Sequence, residues 1–301
     1  MGSELAYRLV LFSDWGPAAP LRRSEQYADF LSEDLYWTLY AEWDGRYPPP
    51  ASVHPVLGWT DGFDPLTYVH DETVDGPPVL LYGDSYAACV DDVDCFQTWI
   101  PNLLNYGVGG YGTDQILLLM EQSLPLHPEA EVIVSLMPLD LDRAALCLRI
   151  GEKPCFTVEE EELVPRRREQ PAHWLLYRKF LFASFTPPGL RSVLRNEPAI
   201  QAEKEVLNRT IVRRMLAALE GHERTFVVFH THFGGVQRLD GERDWRDDLL
   251  ADELEGEGVI WARELLPDEP LEWTRWIRPS DGHPTTEYNR LVAEAVLESM
   301  R

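Results

Sequence analysis

From residue 77 onward the chain alternates short apolar runs with longer segments of helical spacing. The runs are PPVLLYGDS (77–85), NLLNYG (102–107), EVIVSLMP (131–138), TFVVFH (225–230) and GVIWA (258–262). An apolar run without polar alternation, bounded by turn residues, predicts a strand buried on both faces. TDQILLLMEQSL (113–124), EKEVLNRTIVRRMLAALEGH (203–222), a charged segment near 243–255 and TEYNRLVAEAVLESM (286–300) read as helices. Thr113 or Asp114 is placed to cap the first of these. Strands alternating with helices predict an α/β fold, with a parallel sheet of about five strands covered on both faces.

Two stretches break this rhythm. Residues 1–76 are rich in Trp, Tyr, Pro and Asp and show no clean period. PPPASVHPVLGW (48–59) reads as an extended, proline-stiffened strap, so residues 1–76 are expected to wrap the core and not to fold alone. Residues 144–200 carry GEKPCF, an acidic run from Glu159 to Glu162, PRRREQ and WLLYRKFLFASF. That is too long for a simple connection and predicts an insertion over one end of the sheet, either a lid or a surface decoration. The organisation expected is an N-terminal extension (1–76) and one α/β domain (77–301) with an insertion near 144–200.

Composition narrows the function classes. A net charge of −24 repels phosphate backbones and anionic membranes, which argues against a nucleic-acid partner. Arginine carries nearly all the positive charge, the lysines being Lys153, Lys179 and Lys204. No apolar stretch of about 18 residues is present to span a membrane, and MGSELAYRLVLFSDWG lacks the features of a signal peptide. Cys89 with Cys95 and Cys147 with Cys155 form two close pairs. They are read either as local disulfides of an exported protein or as reduced, partly buried thiols of a cytoplasmic one. Neither pair has the spacing of a zinc site.

Chemistry concentrates in three places. Ser85 follows VLLYGD at the carboxyl end of a predicted strand, where parallel α/β sheets bind ligands. The helix expected after it offers backbone N–H groups at its N-terminus, and Gly83 allows the tight path into it. NYGVGGYGTDQ (105–115) comes after the next strand, with glycines that let backbone amides approach an anion. SDGHPTTEYNRLVAEAV (280–296) places His283 just before the last helix, with Asp281 two residues upstream. A serine becomes a useful nucleophile when a base takes its proton, and a carboxylate fixes that base's tautomer. Asp281 and His283 can serve Ser85 in this way.

Together the three motifs, in this order, resemble the SGNH (GDSL-like) hydrolase family over roughly residues 77–298. The resemblance implies a flavodoxin-like three-layer α/β/α sandwich, with Ser85, Asp281 and His283 as the catalytic group. It also implies that the amides of Ser85 and Gly110 donate to the oxyanion and that Asn105 shapes the glycine loop. Asp84 lies beside the nucleophile. The stretch ELAYRLVLF is similar to the segment just after an N-terminal anchor helix in related proteins, so membrane association is expected only through an anchor that has been removed.

The family's third strand usually ends near an asparagine whose side-chain amide is a third oxyanion donor. Here it runs into MPLDLDR (137–143), and the matching positions hold Leu139 and Asp140. Losing one such donor typically costs about 10²–10³ in rate. An ionised Asp140 about 4 Å from the oxyanion would add roughly 4 kcal/mol of repulsion at an effective dielectric of 20. Asp140 therefore turns away, is protonated, or marks a weak or adapted enzyme. Arg143 is read as a clamp for an anionic substrate or as a local ion-pair partner. His230 and His232 lie on one face at the end of the fourth strand and could line the site; no metal and no cofactor is expected.

The function expected is acyl-ester hydrolysis of a small-molecule or glycan ester; the resemblance implies short acyl esters, acetyl groups on carbohydrate in particular, as the first substrate class. The rivals are an O-acyltransferase acting on a glycan, and a glycan-binding module that keeps the fold with little or no activity. A bacterial exported or periplasmic location and a cytoplasmic one both stay open.

Overall fold

A computed structural model describes residues 2–13, 15–29, 31, 33–44, 52–60, 62, 64–65, 76–89, 92–149, 151–167, 197–229, 243–267 and 273–301. Five parallel strands form the central sheet: β3 (Val79–Gly83), β4 (Leu103–Gly107), β5 (Glu131–Leu136), β8 (Arg224–Val228) and β9 (Val259–Trp261), in the spatial order β4-β3-β5-β8-β9. Counted along the chain this is 2-1-3-4-5, the flavodoxin-like order, and its direction reverses beside β3. The crevice at that reversal lies beyond the carboxyl ends of β3 and β5. Ser85 and the segment 137–143 come directly after those two ends.

The strands are apolar throughout because each alternate residue enters a different core. Leu80, Tyr82, Val132, Val134, Phe226 and Val228 join one cluster, with Ile116 and Met120 of α5 (Thr113–Ser123) and Leu249 and Leu250 of α8 (Trp245–Glu253). Ile211 and Met215 of α7 (Glu197–Ala218) complete that layer. Val79, Leu81, Ile133 and Val227 face the other way, onto Tyr86 and Ala87 of α4 (Ser85–Ala88) and Tyr288, Val292 and Val296 of α9 (Thr286–Ser299). Each such side chain contributes about 1.5–3 kcal/mol on burial, so the helices are held to the sheet from both sides.

The first 76 residues contain more regular structure than their composition suggests. They form α1 (Gly2–Leu11), α2 (Ser24–Tyr27), α3 (Asp34–Asp44) and a hairpin of β1 (Ser52–His54) and β2 (Gly58–Thr60). Leu11, Tyr27, Ala28, Leu35 and Leu39 make a small core of their own. The strap expected over 48–59 is, in its described part, this hairpin.

Within the expected insertion, β6 (Phe156–Glu159) and β7 (Glu162–Pro165) pair antiparallel. The acidic run is the turn between them, with Glu160 and Glu161 at φ 50° and 68°. Residues 168–196 lie outside the described set, and with them the lid question. Both cysteine pairs are bridged: Cys89–Cys95 and Cys147–Cys155, with Cα separations of 5.8 and 5.0 Å. Among the described residues no helix is long and apolar enough to cross a membrane.

The expected cap of α5 needs correction. Gly112 holds the N-cap position, and neither Thr113 nor Asp114 caps the helix. Thr113 instead donates to Asn208 Oδ1 at 2.7 Å, and Asp114 is buried against Lys153 Nζ at 2.5 Å. Packing of α5 against α7 and the 144–153 segment turns both side chains inward.

Candidate functional site

Ser85 opens α4 directly after β3. Asp84 caps that helix, its Oδ1 accepting from the Tyr86 amide at 2.9 Å. The turn is tight enough to need Gly83, where a Cβ would stand 2.8 Å from the Ser135 carbonyl. Across the crevice, Gly107 lets β4 lie against α4, since a Cβ there would collide with the backbone of Ala87 and Ala88. Asn105 fastens the two: its Nδ2 donates to Ala87 O at 2.8 Å and its Oδ1 accepts from the Gly107 amide at 2.8 Å.

The glycine loop continues from Gly107 with Val108 donating to Gly83 O at 3.2 Å and with Gly110 at φ 86°. The amides of Ser85 and Gly110 have no hydrogen-bond acceptor among the described residues. They are the two for which the sequence resemblance implies an oxyanion role, and both are available as donors. The Ser85 amide is free because it stands in the first turn of a helix.

His283 and Asp281 reach this region from the other end of the domain. The Tyr86 hydroxyl donates to Gly282 O at 2.6 Å, and the Tyr86 and His283 ring centroids are 5.5 Å apart. The residue after Ser85 therefore holds the loop carrying both. Asp281 Oδ1 accepts from the His283 amide at 3.0 Å. His283 Nδ1 stands 3.2 Å from the same oxygen but lacks the alignment of a hydrogen bond, so the contact is an approach, not a formed bond. Partial burial works to raise the Asp281 carboxyl; the His283 amide and ring and the Arg278 guanidinium outweigh it and hold its pKa below the ordinary value. Ser85 Oγ donates weakly to Asp84 Oδ2 at 3.4 Å, and no Ser85–His283 hydrogen bond is formed among the described residues.

Asp140 is fully buried at the start of α6 (Pro138–Arg143), the short helix after β5. Its Oδ2 accepts from the Met137 amide at 3.0 Å and its Oδ1 from Arg143 Nη1 at 2.7 Å. Burial and the nearby Asp84 push its carboxyl well up from the ordinary value, against the pull of Arg143. Arg143 pairs with Asp84 Oδ2 at 2.7 Å and also donates to Tyr111 O at 3.1 Å. Of the two sequence readings, local pairing is thus realised. Asp142, the other acid of MPLDLDR, faces away to Lys204 at 2.8 Å and Arg246 at 2.7 Å. His230 and His232 lie outside the described residues.

Nothing in the sequence singles out Tyr86, or Lys153 as a buried partner of this region. Their contacts join segments far apart in the chain, and no local pattern announces them.

With this geometry in view, the comparisons add no relative. No protein-family model matches the chain, and a search of curated proteins finds no match.

Proposed function

We propose that the chain is a serine-dependent acyl-ester hydrolase of the SGNH type. The observation that carries this reading is the position of Ser85: at a strand end and helix start, its amide without an acceptor among the described residues, and joined through Tyr86 to the loop of Asp281 and His283. In the reaction, Ser85 Oγ attacks the ester carbonyl while His283 takes its proton. Asp281 orients the imidazole, the two amides receive the charge on the carbonyl oxygen, and water then releases the acyl group. The serine–histidine hydrogen bond that this reaction needs is one that forms when substrate binds. Short acyl esters, acetyl groups on carbohydrate first among them, are the proposed substrate class.

The test is covalent labelling of the purified chain with a fluorophosphonate probe. Labelling of the wild type that is lost in Ser85→Ala and in His283→Ala supports the assignment. Labelling that persists in Ser85→Ala means another residue is the nucleophile. A second reading, a glycan-binding module with little activity, is favoured by the Ser85 hydroxyl bonding Asp84 in place of His283. It predicts glycan binding by a chain that the probe never labels.

A further inference from the structure

Arg143 is almost wholly buried, with its side chain 6% exposed, yet toward the described residues it uses only one of its three nitrogens. Nη1 alone meets Asp84 Oδ2, Asp140 Oδ1 and Tyr111 O. Nε is buried with no partner, and Nη2 has no acceptor among the described residues. A guanidinium carries five N–H donors in a rigid fork, and leaving buried donors unpaired is costly. A structural ion pair that needed only a cation at Nη1 would be served as well by lysine.

The location of the guanidinium is specific. Asp84 directly precedes Ser85, and Tyr111 directly follows Gly110. The guanidinium is thus fastened to the neighbours of the two residues whose amides have no acceptor among the described residues. Asp84 Oδ2 even bridges Arg143 Nη1, at 2.7 Å, to Ser85 Oγ, at 3.4 Å.

We propose that Arg143 is the third stabiliser of the oxyanion formed at Ser85, with Asp84 and Asp140 as positioning residues that hold its guanidinium there. The proposal rests on the hydrolase reading and deepens it. When Ser85 Oγ bonds to the carbonyl carbon, its proton passes to His283 and the carbonyl π pair moves onto oxygen. Arg143 donates an N–H to that oxygen and leaves its own proton count unchanged. The acid that replaces the family's amide, Asp140, is then no misplaced anion at the reacting atoms. It closes the start of α6 on Met137 and aims the arginine.

The test uses the full chain as wild type, Arg143→Lys and Asp140→Asn. Each is assayed with p-nitrophenyl acetate as a neutral ester and mono-p-nitrophenyl succinate as an anionic one, and thermal unfolding of each is recorded. Arg143→Lys keeps the charge for Asp84 and Asp140 but loses the fork. It is expected to lower kcat about 10²-fold on both esters with KM little changed. Asp140→Asn keeps an acceptor while losing the charge, and is expected to lower kcat about tenfold. Should Arg143→Lys fail to fold, the Asp140→Asn result decides: a fall in kcat supports the proposal, and an unchanged or raised kcat overturns it. Unchanged kcat in a folded Arg143→Lys also overturns it. So does a loss confined to KM for the succinate ester, which would make Arg143 a clamp for anionic substrates. A wild type that neither takes the fluorophosphonate label nor turns over either ester removes the hydrolase reading itself, and this proposal with it.

Discussion

Replacing Lys153 by Met should unfold the chain more readily than almost any other single change at a described polar residue. Lys153 and Asp114 are both fully buried, with Nζ 2.5 Å from Oδ2. The ammonium also donates to Leu146 O at 2.9 Å and Arg143 O at 3.3 Å. Burial pushes the Asp114 carboxyl up to about 6 against the pull of Lys153, and it lowers Lys153. Lys153→Met leaves the carboxylate without its cation, while its Oδ1 already has no partner. Breaking one side of a buried pair costs about 3–5 kcal/mol, whereas replacing both partners by apolar residues is near neutral or stabilising. The sign with pH comes from the raised carboxyl. A folded-state pKa above the unfolded 3.8 gives stability that is present below that value and lost as pH rises through the folded pKa. Without Lys153 the folded pKa climbs further, so between pH 5 and pH 8 the variant's deficit should widen from about pH 6 upward, where the wild-type carboxyl has ionised, by about 1.4 kcal/mol per unit until Asp114 ionises in the variant as well. Urea unfolding followed by tryptophan fluorescence, at both pH values, measures it. A deficit under about 1 kcal/mol, or one that ignores pH, would refute the reasoning. So would an Asp114→Leu/Lys153→Met double variant as unstable as the single one.

Other expectations are as direct. Gly107→Ala would drive a methyl into the α4 backbone, so it should cost about 1–3 kcal/mol or more in urea and abolish fluorophosphonate labelling of Ser85. Asp281→Asn should keep the unfolding midpoint within a degree or two while esterase kcat falls by about 10⁴, since the imidazole loses its orienting carboxylate. Glu160→Asn with Glu161→Gly places residues suited to positive φ at the β6–β7 turn, and should raise unfolding free energy by about 1–2 kcal/mol. Removing Cys147–Cys155 by a double alanine change should lower it by about 2 kcal/mol, and intact mass should rise by two hydrogens per bridge on reduction of the wild type.

The sheet was legible in the sequence because its strands are buried on both faces. A run such as Val79 to Tyr82 admits no polar residue when its side chains alternate between two cores. The N-terminal helices were not legible, since their cluster is small and built from residues as different as Leu11, Tyr27 and Ala28. Aromatic rings spread over several faces of α3, with Tyr36 stacked on Tyr40 at 5.8 Å, hide its period. The helix α6 was hidden for another reason. Asp140, Asp142 and Arg143 are buried polar residues, each holding an ion-pair partner, so their run shows no apolar helical face. The order of Ser85, Asp281 and His283 is visible in one dimension. The link between the Tyr86 turn and the Asp281–His283 loop is a tyrosine hydroxyl meeting a carbonyl across 196 positions, which no local spacing encodes.

Contacts equally remote in sequence join residues 1–76 to the glycine loop. The Trp59 indole donates from Nε1 to Gly109 O at 3.1 Å, the Tyr111 hydroxyl donates back to Trp59 O, and Gln115 Nε2 donates to Leu57 O at 2.7 Å. The Gly109 carbonyl and the Gly110 amide belong to one trans peptide, in which C=O and N–H point in opposite directions. Fixing the carbonyl on Trp59 therefore fixes the direction of the Gly110 N–H, away from the hairpin. Gly58, at φ 85°, lets that hairpin press on the chain at Glu152, where a Cβ would lie 2.8 Å from the carbonyl oxygen. Lys153 then carries the contact inward to Arg143 O. The extension thus acts on the crevice from two sides, setting an amide through Trp59 and backing the helix of Arg143 through Lys153. Changes in residues 57–60 should be felt at Gly110 although none of these side chains is an expected catalytic group.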